Sequence, residues 1–218
     1  RADADATMLT DEDLGMANVV LTNGSRLYVD HAHPELSTPE VTGPRDAVLW
    51  DRAGVEVMRT AMRLVDAEPG LAEVVLYKNN TDNKGASYGC HENYLMDRAT
   101  PFAEIVRHLT PFFVSRQVYT GAGRLGIGQD SRAAAFQLSQ RADHIIKTVA
   151  SRVRFNRALI NPKWEHYYSH DGTTRLHLLF GESNQNEYAY ALKVGSTNLV
   201  LRCLEDGRIP EWLALAQP

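Results

Sequence analysis

A long polar stretch between two strand-like runs places the strongest constraint on how this chain can fold. Residues 74–77 are apolar, as is typical of a β-strand, and residues 78–89 then contain three asparagines, an aspartate and two glycines. Asparagine and glycine favour tight turns, and glycine lets the backbone approach a ligand closely. The chain then reaches His91-Glu92-Asn93 in a second strand-like run. We interpret the stretch as a functional loop; the alternative is a turn-rich connection whose histidine is satisfied by local packing.

Composition excludes several classes of protein. The formal charge of −4 over 218 residues, without a basic block, argues against binding to nucleic acid or to a membrane surface. No apolar run reaches membrane-spanning length, and no signal peptide opens the sequence. The two cysteines, Cys90 and Cys203, are too few and too far apart in sequence for a disulfide framework. We therefore expect a globular protein of the reducing cytoplasm.

The domain organisation is predicted from the order of polar and apolar segments. Residues 1–17 are acidic and rich in alanine and are predicted to form a linker or loop, residues 18–206 a catalytic domain, and residues 207–218 a tail. The chain begins at Arg1 rather than at a methionine. We expect it to be the middle part of a longer protein.

A β-hairpin is predicted at the start of the catalytic domain. Residues 18–21 are apolar, Asn23-Gly24 is a strong hairpin turn signal, and residues 26–30 form the return strand. Alternation along that strand places Tyr28 and Asp30 on one face.

A second polar cluster follows the hairpin. Within eleven residues it holds one aspartate, two histidines and two glutamates, namely Asp30, His31, His33, Glu35 and Glu40. Pro34 and Pro39 are expected to stiffen this segment as a loop and to hold the carboxylates in place. The alternative is a solvated loop after an edge strand.

Periodicity and Pro/Gly signals define the remaining elements. Helices are predicted over residues 44–68, from residue 100 onward with a kink or break at Pro111, and over residues 186–205. Strands or extended segments are predicted over residues 73–77, 136–146 and 175–181. The glycine-rich residues 121–128 match no phosphate-binding fingerprint and are predicted to be a flexible loop. This order predicts an α+β fold with helices on one face of a largely antiparallel sheet.

The residues that could carry chemistry are spaced far apart along the chain. They are Asp30, Glu35, His91, Glu92 and His177, with Arg175 as a candidate for anion binding. Neighbours on a strand point to opposite faces, so His91 and Glu92 share a site only across a bulge or twist. Arg175 and His177 share one face, which suits a phosphate and a metal ion; the alternative is an edge-strand arginine beside a packed histidine. Carboxylates with a minority of imidazoles suit Mg²⁺ or Mn²⁺ holding a nucleotide polyphosphate.

Several of these motifs together resemble the Pup deamidase/depupylase family. Its sister is the Pup–protein ligase, and both are related to carboxylate-amine ligases such as glutamine synthetase. The resemblance spans residues 18–206 and rests on residues 28–35, 78–80, 84–89, 91–95, 136–141 and 175–177. The forms Asp-His-Ala-His-Pro-Glu and Lys-Gly-Ala-Ser-Tyr-Gly favour the depupylase branch.

The resemblance implies a fold, a reaction and partners. The fold would be a glutamine-synthetase-like curved sheet that cradles ATP (or ADP with phosphate) and Mg²⁺. The reaction would be hydrolysis of the side-chain amide of the C-terminal Gln of Pup, or of the isopeptide that joins Pup to a substrate lysine. The partners would be Pup or a Pup-like modifier and pupylated proteins, with a functional link to the proteasome.

The resemblance also implies roles for single residues. Asp30 would be the catalytic aspartate, acting as nucleophile or as base for water. Glu35, His91, His177 and Glu92 would be metal ligands or lie close to the metal. Tyr28, Asn93 and Arg175 would bind the nucleotide, with Arg175 at the phosphates.

Two family elements are not found in these residues, and two other hypotheses stay open. The family's opening strand with paired glutamates and its C-terminal lobe are missing, so residues 18–206 are expected to form a partial domain. The chain could instead belong to a Pup–protein ligase that works through a phosphorylated glutamate, in which case ATP is consumed in step with product. It could also be an inactive module that binds the tail of Pup, in which case Asp30→Asn leaves binding unchanged.

Overall fold

The computed structural model describes residues 18–30, 33–82, 84–145, 147–149, 158–162 and 172–213. The predicted linker, His31 of the second polar cluster and residues 214–218 of the predicted tail lie outside these ranges. The chain divides into two compact units, residues 1–76 and residues 77–218, which we call the N-terminal and C-terminal units. The prediction of a single domain over residues 18–206 stays a prediction.

The N-terminal unit contains a three-stranded antiparallel sheet. Its strands are β1 (Asn18–Val20), β2 (Arg26–Asp30) and β3 (His33–Ser37), in that order. The predicted hairpin between the first two strands is confirmed, with Gly24 at a φ of 86° in the turn. The stiff loop predicted after it is wrong, because residues 33–37 form β3. In the described sheet β3 is an edge strand, and proline is tolerated in edge strands.

One helix completes the N-terminal unit. Helix α1 (Pro44–Asp66) confirms the predicted helix, with proline in its first turn, and Gly54 gives Leu36 of β3 room to pack. The strand predicted over residues 73–77 is wrong. There the N–H groups of Val74 and Leu76 donate to side chains of α1, at 3.3 Å and 3.4 Å, instead of to a neighbouring strand.

The C-terminal unit is built on a four-stranded sheet. Its elements in chain order are β4 (Glu92–Asp97), α2 (Phe102–Thr120), β5 (Arg124–Ile127), β6 (Ala133–Gln137), β7 (Lys147–Val149), β8 (Ala158–Pro162), β9 (Thr173–Leu178) and α3 (Glu187–Glu205). The sheet order is β4-β9-β8-β7, and only β7 and β8 run parallel. The largely antiparallel sheet predicted from the sequence is therefore confirmed.

Helices α2 and α3 cover one face of this sheet. The buried apolar residues between the helices and the sheet are Met96, Ile105, Leu109, Phe113, Ile160, Leu176, Leu178, Phe180, Leu201 and Leu204. Asn186 caps α3 by accepting hydrogen bonds from the N–H groups of Tyr188 and Ala189, and Gly207 follows its end with a φ of 65°. Pro111 does not divide α2, because the helix continues through it, and the alternative prediction of a kink there stays a prediction.

The glycine-rich segment is a hairpin rather than the predicted flexible loop. Strand β5 pairs with β6 in a separate two-stranded sheet. Gly126 has a φ of 90° and lies so close to Ser131 that a Cβ there would be 2.5 Å from the Ser131 carbonyl oxygen. The extended segment predicted over residues 136–146 is also largely wrong, since β6 ends at Gln137 and Ala142–His144 form a 3₁₀ helix.

No helix in the described ranges is long and apolar enough to cross a membrane.

Candidate functional site

The hairpin of the N-terminal unit carries four polar residues on one face. Tyr28 lies opposite Glu35, and Asp30 opposite His33, in the antiparallel register of β2 and β3. The Tyr28 hydroxyl donates a hydrogen bond of 2.6 Å to Glu35 Oε2. Burial, and then the bond to Glu35, raise the pKa of Tyr28, so the phenol stays a neutral donor. Asp30 is exposed at the end of β2.

In the C-terminal unit, residues 78–82 and 84–91 form a loop that is held by hydrogen bonds to Asp82. Asp82 Oδ1 accepts hydrogen bonds from the N–H groups of Lys84 (2.8 Å) and Ala86 (2.9 Å), and Thr81 pairs with Ser87. The bond from Lys84 contributes most to a lowered pKa of Asp82. Asp82 therefore builds a defined turn with residues 84–86, as predicted from its residue type.

Hydrogen bonds attach this loop to the segment that follows β9. The Asn80 side-chain amide exchanges two bonds with the backbone of Ser183, of 3.1 Å and 2.6 Å, and both residues are buried. The N–H of Cys90 donates to the carbonyl of Gly181 at 3.1 Å. A Cβ at Gly181 would lie 2.2 Å from the Cys90 carbonyl oxygen, so only glycine fits there.

This attachment brings two of the predicted metal ligands together. The rings of His91 and His177 meet edge to face, with 5.3 Å between their centroids. His91 is exposed, whereas His177 is 7% exposed. Asn93 lies opposite His177, and Arg175 lies two residues earlier on β9. The predicted residues His91, Asn93, Arg175 and His177 thus share one face of β4 and β9, the face that does not pack against α2 and α3.

Glu92 does not join them, which corrects its prediction as a metal ligand beside His91. It points to the opposite face of β4 and is 6% exposed. Its two carboxylate oxygens accept hydrogen bonds of 2.8 Å and 2.9 Å from the Arg116 guanidinium, and the Tyr94 hydroxyl donates another of 2.7 Å. Because strand residues alternate between faces, Glu92 is directed into the core.

The surrounding charges keep Glu92 ionised although it is buried. Burial alone would raise the pKa of its carboxyl, but the charges of Arg116 and Lys193 and the hydrogen bonds from Arg116 and Tyr94 hold that pKa below its usual value. The same pairing raises the pKa of Arg116 against the effect of its own burial. Glu92 is therefore half of a structural ion pair.

Sequence reasoning missed a buried polar cluster next to the histidines. Glu182, 1% exposed, accepts hydrogen bonds from the Ser139 hydroxyl and from the N–H groups of Ala122 (2.7 Å) and Arg141 (3.1 Å). Ser139 and Arg141 belong to a motif that supported the family resemblance, but no role was predicted for them. In the sequence, the only indication of a role for Ser139 and Arg141 was that they belong to a run of polar residues in a segment expected to be extended.

The donor chemistry suits a divalent metal, although it is only part of a ligand set. The two imidazoles that share a sheet face in the C-terminal unit are nitrogen donors for a divalent metal. In the N-terminal unit, the Glu35 carboxylate is the kind of oxygen donor that Mg²⁺ and Mn²⁺ prefer. Within the described ranges, no three histidine, cysteine, aspartate or glutamate side chains form a group able to hold a metal.

Comparison with known proteins assigns the family. Residues 1–218 match the family described as Pup-ligase protein. The chain belongs to the Pup-ligase family. It is 57% identical over 218 residues to the depupylase of Acidothermus cellulolyticus, covering 100% of this chain and 43% of that protein. It is 53% identical over 207 residues to the Pup deamidase/depupylase of Mycolicibacterium smegmatis, covering 95% of this chain and 42% of that protein.

Ligases of the Pup-ligase family are also similar to this chain. The Pup–protein ligase of Kineococcus radiotolerans is 43% identical over 207 residues, which is 93% of this chain and 45% of the ligase. The chain thus spans less than half the length of these curated relatives.

Two solved structures of Pup ligase PafA have the same fold. PafA in complex with ADP superposes with a TM-score of 0.76 at 36% identity, covering 89% of this chain and 44% of PafA. The complex between Pup and PafA gives a TM-score of 0.75 at 36% identity, covering 90% of this chain and 40% of PafA. The predicted glutamine-synthetase-like α+β fold is confirmed.

Proposed function

We propose that this chain carries part of the active site of an ATP- and Mg²⁺-dependent amide hydrolase. The enzyme would deamidate the C-terminal Gln of Pup, cleave the isopeptide that joins Pup to a lysine, or do both. The observation that carries the proposal is that the relatives named depupylase are more similar to this chain than the relative named ligase, over nearly the same residues.

In this proposal Asp30 acts on the amide carbonyl. Its side chain lies at the exposed end of β2, where a substrate can reach it. A carboxylate on a paired strand is held in a fixed direction and loses little freedom when the substrate binds. Asp30 would attack the carbonyl carbon directly or take a proton from the attacking water.

In the C-terminal unit His91 and His177 would be metal ligands, and in the N-terminal unit Glu35 would be one, for the Mg²⁺ that the reaction requires. The divalent ion would offset the negative charge of the phosphates and of the oxygen that gains charge during hydrolysis. Tyr28 would fix the orientation of Glu35 through their 2.6 Å hydrogen bond. The edge-to-face contact of His91 and His177 would keep the two imidazoles at one spacing. Glu92 is left out of this ligand set because Arg116 occupies both of its oxygens.

In the C-terminal unit Arg175 would contact the phosphates of ATP and Asn93 would be a further nucleotide contact; in the N-terminal unit Tyr28 would be one. A guanidinium is well matched to phosphate oxygens because it offers several N–H groups in one plane. Arg175 lies on the same sheet face as Asn93 and His177, where α2 and α3 do not cover it. The ADP bound to PafA supports a nucleotide for this chain, and the Pup bound to PafA supports Pup as its partner.

A ligase is the second candidate, because the two solved structures compared above are Pup ligases. The amount of ADP formed for each Pup released or conjugated distinguishes the two activities. The full-length protein would be incubated with ATP, Mg²⁺ and either a Pup–lysine conjugate or free Pup with a lysine-bearing protein. A hydrolase releases Pup from the conjugate without matching ADP formation, which is the expected result. A ligase accumulates conjugate with one ADP for each bond, and that result would contradict the proposal.

A further inference from the structure

The Arg141 side chain bridges the two chain segments that carry the histidines. It is 4% exposed in the C-terminal unit. Its Nε donates to the Ser87 hydroxyl at 2.9 Å, and its Nη1 donates to the carbonyl oxygens of Leu179 at 2.7 Å and Gly181 at 2.6 Å. One guanidinium therefore contacts both the polar loop and the segment that leaves β9.

These contacts lie close in sequence to both imidazoles. Ser87 precedes His91 in the same loop, and Leu179 follows His177 after one residue. Between Ser87 and His91, a Cβ at Gly89 would be 3.2 Å from Arg141 Nη1 and 3.0 Å from the His91 ring. The guanidinium and the His91 ring thus both border the space beside the Cα of Gly89, which only a glycine leaves open.

Arg141 is itself held in place at its backbone. Its N–H donates to Glu182 Oε1 at 3.1 Å, and the same carboxylate binds the Ser139 hydroxyl and the Ala122 N–H. A lysine could not replace the side chain, because an ammonium cannot present donors in the planar, forked geometry that these separate acceptors require.

We propose that Arg141 is a positioning residue that sets the spacing between His91 and His177 and, through it, the affinity of the site for a divalent metal. The inference rests on the proposed function, in which these histidines bind the metal. Arg141 acts through the backbone on which the two ligands are mounted, as outer partners of metal ligands do elsewhere.

The test compares Arg141→Lys with Arg124→Lys in the full-length protein. Arg124 is a matched control: it is 6% exposed and bonds Gly128 and Asp143 in the C-terminal unit. Binding of Mn²⁺ would be titrated by electron paramagnetic resonance. We expect Arg141→Lys to weaken binding by about 10- to 100-fold, as loss of an outer partner does. Arg124→Lys should leave it unchanged.

A second readout needs no metal. With isotope-labelled histidine, the ring protons of His91 and His177 should give a nuclear Overhauser contact in the wild-type protein, since their centroids lie 5.3 Å apart. Arg141→Lys should weaken this contact while melting remains cooperative. If Arg141→Ala folds, a small guanidinium compound at low concentration should restore both the contact and Mn²⁺ binding.

The outcomes separate the inference from the proposed function. Failure of the wild-type protein to bind Mn²⁺ would overturn the metal role of the histidines, and the ring contact alone would then decide the role of Arg141. Equal Mn²⁺ binding and an unchanged ring contact in Arg141→Lys would overturn the positioning role. If Arg141→Lys and Arg124→Lys weakened Mn²⁺ binding equally, the positioning role would also be overturned, because the loss would then reflect a general loosening of the folded protein.

Discussion

At the scale of single residues, the Tyr28 hydroxyl restricts where the Glu35 carboxylate can point. The two side chains lie opposite each other on β2 and β3, and the guanidinium of Arg26 lies over the Tyr28 ring at 4.4 Å. The cation thus packs on the face of the ring, while the hydroxyl at the end of the side chain donates to Glu35 Oε2. In the proposed function, the other carboxylate oxygen is the one that would bind a metal.

Replacement of Tyr28 by Phe tests this arrangement. The Glu35 carboxylate loses its donor and gains rotational freedom, so we expect Mn²⁺ affinity to fall by about 10-fold. The cost to stability should be only about 0.5–1.5 kcal/mol, because Tyr28 is half-buried. Tyr119→Phe, which removes a hydroxyl bonded to Ser196, is the matched control. Unchanged Mn²⁺ affinity in Tyr28→Phe would show that Glu35 does not need this bond.

At the scale of elements, β4 has a different function on each face. One face carries Asn93 beside His177, and the other carries Glu92 and Tyr94. The Arg116 guanidinium of α2 joins Glu92 to Thr197 of α3, with bonds of 2.8 Å, 2.9 Å and 2.7 Å. This buried network fixes the strand against both helices and thereby fixes the direction of its other face.

Arg116→Met should strongly destabilise the C-terminal unit. Removal of the guanidinium leaves the Glu92 carboxylate buried without its cation, and such a change typically costs about 3–5 kcal/mol. Thermal and urea unfolding would measure the loss. The double variant Arg116→Met with Glu92→Gln should lose less than the sum of the two single variants, because the residues are in direct contact. Additive losses would show that the pair does not act as a unit.

The ion pair also predicts a dependence of stability on pH. The pKa of Glu92 is lowered in the folded protein, so its contribution is complete above the ordinary glutamate value of about 4.3 and is lost as the pH falls through the lower folded value. Glu92→Gln has no titrating group at this position and should lose less stability than wild type on acidification below that range. The melting temperature measured from neutral to acidic pH checks this. Parallel curves for the two proteins would refute it.

At the scale of the whole molecule, sequence signals within a short segment predicted two helices and the first hairpin, whose formation depends on residues close together in the chain. Helices α1 and α3 follow from apolar periodicity with Pro44 and Asn186 at their starts, and the first hairpin follows from Asn23-Gly24. Strands β3 and β5 were missed because their pairing depends on a partner strand. Proline and glycine are rare in strands, so Pro34 and the glycines of residues 121–128 argued against strands in these two segments.

The sequence indicated which residues could form the candidate site, but it did not indicate which buried side chains they pack against. Alternation along the strand of residues 175–181 indicated that Arg175 and His177 share a face, and alternation also indicated that His91 and Glu92 diverge. That Asn93 lies opposite His177 followed only from the pairing of β4 with β9. The cation that pairs with Glu92 could not be found from the sequence, because Arg116 lies on a separate helix. The cluster of Arg141 and Glu182 was hidden for the same reason, since buried charges are recognised only by their tertiary partners.

The most direct test of the proposed amide hydrolysis is mass spectrometry of Gln-ended Pup incubated with the full-length protein, ATP and Mg²⁺. We expect the mass increase that accompanies conversion of the terminal amide to an acid, and it should depend on nucleotide. Asp30→Asn should slow it by at least about 100-fold, whereas Glu73→Gln, at an exposed carboxylate outside the predicted site, should not. Full deamidation by Asp30→Asn, or a Pup mass that stays unchanged with the wild-type protein, would contradict the account.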